Sequence, residues 1–154
     1  MNLYLVQHAR AKSKEENPDR PLTEQGYIDA EKVAKFVGKS NTIILDVIYH
    51  SGKTRAGQTA EIFAKYLAPT DGVKESDGLK ALDNPEIWAN RVKEMERDIM
   101  LVGHLPYMSK LASLLISGNQ ENKVVEFQKG GIVCLSGDDN GNWSLRWMII
   151  PELL

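Results

Sequence analysis

The sequence predicts an α/β protein, with a mostly parallel central sheet flanked by helices on both faces and a C-terminal β-hairpin. Three observations predict it. Short, β-prone apolar segments alternate with longer segments of helical period over the first two thirds of the chain. The first of these, Leu3 to Val6, is apolar on successive residues, as a strand covered on both faces is. The last two apolar segments are joined by a short turn-rich stretch with no room for a crossover helix. Residues 1–154 are read as one domain, without repeat, linker or low-complexity tract.

Each element follows in order. Leu3 to Val6 is the first strand, and polar groups begin at Gln7-His8. Lys12 to Arg20, closed by Pro18 and Pro21, reads as a loop. Thr23 is an N-cap residue; Ile28, Val33, Phe36 and Val37 follow at near-helical spacing, and Gly38 closes the helix. A strand covers Asp46 to Tyr49. A second helix runs from Thr54 to Leu67, with Ala56, Ala60, Phe63 and Leu67 toward the core, and Pro69 and Gly72 mark its break. Val73 to Pro85 reads mostly as loop. A helix from Pro85 to Glu96 has proline in its first turn, and the charges from Glu94 to Asp98 form a solvated end. Ile99 to Val102 is a strand ending at Gly103-His104, and a helix runs from Pro106 to about Ile116. Gly131 to Leu135 and Trp143 to Ile149 form the hairpin around Asp138-Asp139-Asn140-Gly141-Asn142. Trp143 and Trp147, four apart on its second strand, are expected to pack on one face.

The charge balance bounds the partners. Nineteen basic against 21 acidic side chains leave a formal net charge of −2, without the basic footprint of a nucleic-acid binder. An anion site must therefore be local, made by a few converging cations. The single cysteine, Cys134, lies in an apolar run; it forms neither an internal disulfide nor a cysteine-based zinc site and reads as a buried thiol. No apolar run approaches the ~20 residues of a membrane span. Met1 to Val6 lacks the leading positive charge of a signal peptide. The expectations are a cytoplasmic monomer with no membrane or nucleic-acid partner, and no metal or cofactor.

Ligands of open parallel sheets bind outside the carboxyl ends of the strands. Three predicted strands lead into suggestive groups there: His8, the segment Ser51-Gly52-Lys53-Thr54-Arg55, and Gly103-His104. If these strands are neighbours, two imidazoles and a guanidinium converge, a set suited to phosphoryl transfer. A neutral imidazole can attack phosphorus while Arg55 holds two oxygens and a protonated second imidazole offsets charge. Singly, each has a plainer reading as a structural histidine or surface arginine. His50, at a strand end, fits no such pattern and reads as structural.

Four blocks carry a resemblance. Gln7-His8-Ala9-Arg10 resembles the Arg-His-Gly signature of the histidine phosphatase, or phosphoglycerate-mutase-like, superfamily. Arg20-Pro21-Leu22-Thr23-Glu24-Gln25-Gly26 is similar to its Arg-Pro-Leu-Thr-x-x-Gly segment. Ser51 to Ala60 resembles its Ser-Pro-x-x-Arg-Ala-x-Gln-Thr-Ala segment, and Gly103-His104-Leu105-Pro106 its Gly-His-x-Pro block. The short length and the last block are similar to the SixA-type phosphohistidine phosphatases. The resemblance implies a metal-independent phosphatase acting on a protein-borne phosphohistidine. His8 would be the nucleophile forming a phosphohistidine intermediate, Arg55 and His104 would bind the phosphoryl oxygens, and Arg20 would lie at or in the phosphate pocket.

The chain departs from that pattern at its first block. Gln7 stands where the family has arginine, Ala9 where it usually has glycine, and Arg10 where it often has an acid. Gln7 can donate only neutral hydrogen bonds, roughly half as strong to phosphate as charged ones. Ala9 adds a methyl where backbone would approach the phosphate or take φ > 0. Arg10 either brings a compensating cation or faces solvent. Asp83 and Glu86 lie where a general acid could occur, but read first as solvated loop and helix-start carboxylates. Three readings stay open: a phosphohistidine phosphatase, a weakened module binding phosphate, a phosphoprotein or a nucleotide, and a phosphatase of a small metabolite.

Overall fold

The computed structural model describes residues 1–154. Six strands form one sheet: β1 (Asn2–Gln7), β2 (Val47–His50), β3 (Val73–Glu75), β4 (Ile99–Gly103), β5 (Ile132–Gly137) and β6 (Trp143–Ile149). Four helices connect or flank them: α1 (Glu24–Lys39), α2 (Thr54–Leu67), α3 (Glu86–Lys93) and α4 (Tyr107–Ser117). The strand order is β3-β2-β4-β1-β5-β6. The pairs β2·β3, β2·β4 and β1·β4 are parallel, whereas β1·β5 and β5·β6 are antiparallel. The mostly parallel sheet and the closing hairpin at one edge are as expected.

Two cores explain why the strands are apolar on successive residues. Leu3 and Leu5 of β1 and Ile99 and Leu101 of β4 pack under α3 and α4, against Trp88, Val92, Tyr107 and Leu111. The alternate residues Tyr4, Val6, Met100 and Val102 pack under α1 and α2, against Val33, Val37, Ala60 and Phe63. With a core on each face, residues 3–7 of β1 and all of β4 are buried, so the period-2 alternation disappears.

Several expectations need correction. Thr23 caps α1, its Oγ1 accepting from the Gly26 N–H at 3.0 Å. Gly38 does not end that helix, however. It lies inside it, and a Cβ there would meet the Tyr66 carbonyl of α2 at 3.0 Å. The buried stripe of α1 is Ala30, Val33, Ala34 and Val37, while Ile28 and Phe36 are about half exposed. Val73 to Glu75, read as loop, is the edge strand β3, placed by pairing with β2 rather than by its own three residues. Asp98 is no solvated helix end: its carboxylate accepts from the Asn2 backbone and side-chain amides at 2.7 and 3.1 Å, pinning the start of β1. Trp143 and Trp147 lie on opposite faces. Leu145 pairs with Leu135 but Trp147 with Cys134, so Arg146 is an extra residue in a bulge. The bulge shifts the phase by one, sending Trp143 to the α3–α4 core and Trp147 to the α1–α2 core. Cys134 is buried, and burial pushes its thiol up to about 11.

Candidate active site

Topology brings three strand ends together. β1 and β4 are parallel neighbours with Gln7 opposite Gly103, so the next residues, His8 and His104, emerge side by side. Their ring centroids are 5.0 Å apart. β2 flanks β4 with His50 opposite Val102. One residue past His50, Ser51 Oγ lies 2.6 Å from Nε2 of His104, two residues past Val102. Both imidazoles are buried, His8 to 7% and His104 to 3% exposure.

His8 is held in one orientation. Its Nδ1 lies 2.7 Å from the Ala9 carbonyl oxygen. A carbonyl only accepts, so Nδ1 carries the proton and Nε2 keeps the free electron pair. The His8 backbone N–H donates to the Gly103 carbonyl at 2.9 Å. The Ala9 N–H donates to Thr59 Oγ1 at 3.0 Å, and that hydroxyl donates to the Arg55 carbonyl at 2.8 Å. Ala9 is not among the residues of positive φ, and its methyl packs with Leu22 and Ala30. The expected conflict of Ala9 with the backbone is therefore absent.

Cations surround the two rings. Arg55, Lys129 and Arg20 act on His8; Arg55, Lys53 and Arg20 act on His104. None of these four cations forms an ion pair. In a chain of formal charge −2, this is an un-neutralised local positive field. Helices α2 and α4 also begin here, directly after Ser51 and His104. Neither has a side-chain N-cap or an acid in its first turn, which leaves their positive ends free for an anion. Arg55 Nε and His104 Nδ1 are buried and have no hydrogen-bond partner in the protein. Buried donors are rarely left so, and an oxyanion would satisfy both.

Burial, more than the neighbouring cations, pushes His8 down to about 4. Burial, followed by His8, Arg55, Lys53 and Arg20, pushes His104 down to about 3. Both rings are thus neutral at neutral pH. The protonated His104 expected for phosphoryl binding would need a bound anion to offset the cations around the ring. In the tautomer where the Ser51 hydroxyl donates to Nε2, the ring's own proton sits on Nδ1, as a donor into the crevice.

The other anticipated residues are placed as follows. Arg20 holds an uncommon left-handed backbone, φ 48, and its Nε–H donates to the Lys12 carbonyl at 3.0 Å. Its charge acts on His8, His104 and Arg55. Gln7 is buried at the end of β1 and lines a groove of about 610 Å³ beside the crevice, together with Arg10, Asp29, Leu105, Lys129 and Glu152. Arg10 is exposed and is not among the cations acting most on His8. His50 accepts the Gly52 N–H on Nδ1 at 3.1 Å and packs against Gly57, so it shapes the turn that presents Ser51. Asp83 accepts the Lys80 N–H at 2.9 Å, and Glu86 borders a separate groove with Gly118 and Trp143. Neither carboxylate is among the groups acting on the histidines.

Sequence reasoning missed Ser51, Lys53, Gln58, Thr59 and Lys129. The first four lie inside the block quoted for Arg55, which was their signal. Gln58 Oε1 accepts the Leu22 N–H at 2.8 Å and ties the Arg20 loop to α2. Lys129, a lone lysine in a loop, had no signal.

The profile of the histidine phosphatase superfamily (branch 1) matches residues 3–99. No curated protein matches the chain. Among solved structures, the protein histidine phosphatase SixA complexed with tungstate is similar at TM-score 0.87 and 20% identity, covering 99% of both chains. The alpha-ribazole phosphatase from Shigella flexneri is similar at TM-score 0.80 and 15% identity, over 98% of this chain and 97% of that one. A mycobacterial glucosyl-3-phosphoglycerate phosphatase is similar at TM-score 0.72 and 16% identity, over 94% and 96%. At these identities the likeness is one of fold.

Proposed function

The chain belongs to the histidine phosphatase superfamily, and we propose that it is a phosphohistidine phosphatase that works through a covalent phospho-His8 intermediate. The observation that carries the reading is the pair His8 and His104, side by side at the ends of β1 and β4, among cations that no carboxylate neutralises. The positive charge this reaction needs is supplied by side chains, so it proceeds without a metal.

The Nε2 electron pair of neutral His8 attacks phosphorus, and a new P–N bond forms. The substrate's own P–N bond breaks, its electron pair passing to the departing imidazole, which takes a proton from solvent on that nitrogen as it leaves. The Nδ1–H of phosphorylated His8 stays bonded to the Ala9 carbonyl, which fixes the ring. Arg55 takes two phosphoryl oxygens, and His104, oriented by Ser51, donates from Nδ1. Water then attacks phosphorus and gives up a proton to solvent, the P–N bond breaks with its electron pair returning to His8 Nε2, and phosphate leaves.

Two features favour a protein-borne phosphohistidine. Imidazole is a good leaving group once protonated, so the lack of a nearby carboxylic acid costs little. The groove beside Gln7 also gives a polypeptide segment room next to the crevice. A second reading, a phosphate- or phosphoprotein-binding module of weak turnover, is favoured by one observation, the uncharged Gln7 at the end of β1. The two separate on one experiment: hydrolysis of a phosphohistidine-bearing protein, and of an aryl phosphate, by wild type and His8→Ala without added metal. Turnover lost in the variant, with acid-labile phosphate trapped on His8, supports the phosphatase. Absence of both from the wild type leaves the binding module.

A further inference from the structure

Gln7 leaves the β1 side of the crevice without a charge of its own. The turn from Gln128 to Gly131 lies over that position. The Gly130 N–H donates to the Gln7 carbonyl at 3.0 Å, and the Gly131 N–H to the Gln128 carbonyl at 2.9 Å. Gly130 takes φ 76, and a Cβ there would lie 3.6 Å from the Ala9 Cβ. The residue before it, Lys129, is thereby anchored over Gln7-His8-Ala9. Its side chain lines the same groove as Gln7. It forms no ion pair, although the acids Asp29 and Glu152 border that groove. From this geometry we propose that Lys129 binds the phosphoryl group, supplying at the His8 side of the crevice the charge that Gln7 lacks.

Its field reaches the reacting ring: Lys129 follows Arg55 and precedes Arg20 among the cations that hold His8 down. Arg10, the other cation of the groove, is not among the cations acting most on His8, and its carbonyl accepts the Thr23 N–H at 2.9 Å. A lysine suits the position because it is a compact point charge on a flexible stem, able to follow a phosphoryl group from substrate to His8. The biological meaning rests on the phosphatase reading, but the test does not.

The test is tungstate binding, by calorimetry at fixed ionic strength, to wild type, Lys129→Met, Lys129→Arg, Arg55→Met and the double variant Lys129→Met/Gln7→Arg. Lys129 is exposed, so its replacements fold. Removing one charged phosphoryl contact should weaken tungstate about tenfold or more, while Lys129→Arg stays near wild type. Gln7→Arg in the Lys129→Met background should recover most of the loss. Binding by Lys129→Met within about twofold of wild type, or no recovery with Gln7→Arg, would overturn the assignment. If wild type binds tungstate through Arg55 but hydrolyses no phosphohistidine, the phosphatase reading fails while Lys129 is judged on binding alone. If wild type binds no tungstate at all, both fail.

Discussion

The chemistry is set by single side chains whose partners are visible. Ser51 Oγ lies 2.6 Å from His104 Nε2; in the proposed mechanism it positions that ring, so Ser51→Ala should lower kcat about tenfold and change KM little, with Ser51→Thr restoring part of it. A structural defect would move both constants and would not respond to threonine. Arg55→Met removes two charged donors and should lower kcat/KM by a hundredfold or more; a loss below about tenfold would show that Arg55 is no phosphoryl ligand. In the proposed mechanism the free base of His8 is the nucleophile, and burial depresses its pKa to about 4. The acid limb of kcat/KM should therefore fall near pH 4, well below the 6.5 of an ordinary imidazole. An acid limb near 6.5 on a substrate without its own titration there would contradict the buried, neutral His8.

At the scale of elements, the site depends on how closely α1 approaches the strand end. A Cβ on Gly26 would fall 2.1 Å from the Arg10 carbonyl oxygen, backbone against backbone. Neither partner is a flexible tip, so Gly26→Ala must push α1 and the segment after His8 apart. A loss of about 3 kcal/mol in denaturant unfolding is expected. Thr23→Ala, which removes only the cap three residues earlier, should cost about 1 kcal/mol. The order of these two losses is the check, because helix propensity alone would make Gly26→Ala stabilising. This also gives a physical reason for the Arg-Pro-Leu-Thr-x-x-Gly block. Its threonine caps the helix, its glycine admits the Arg10 backbone, and its arginine stands at the crevice.

For the whole molecule, the buried histidines link stability to pH. His8 and His104 have ordinary values of 6.5 and are held at about 4 and about 3 in the fold. Between those limits the unfolded chain carries protons that the folded chain does not, so stability rises with pH across the window. Their contribution is complete above about 6.5 and is lost as pH falls toward 4 and 3. The melting temperature should therefore drop on acidification from pH 7 to pH 4.5. Replacing His8 and His104 together with asparagine should flatten that part of the slope; an unchanged slope would place the acid sensitivity elsewhere. Tungstate should oppose the drop, because it favours the protonated His104 of the folded state.

Much of this was legible in the chain itself. The α/β class, the span of α2, the capped start of α1 and the closing hairpin follow from periodicity and turn residues, which are local properties. The residues gathered at the site, His8, Arg20, Arg55 and His104, stand in blocks whose spacing and order are visible without coordinates. What lay beyond local reading is pairing. Three residues of β3 carry no strand signal until β2 lies beside them. The two tryptophans are four apart in number, yet a single bulged residue, Arg146, puts them on opposite faces. Charge is likewise a property of neighbours. Gln7 reads as a lost cation along the chain, whereas the fold brings Lys129 over it from more than a hundred residues away. The sequence determined which elements form and which side chains their ends present. The tertiary structure decided which ends are adjacent, which proton each histidine keeps and which distant cations share the crevice, because burial and Coulomb interaction depend on distance in space rather than along the chain.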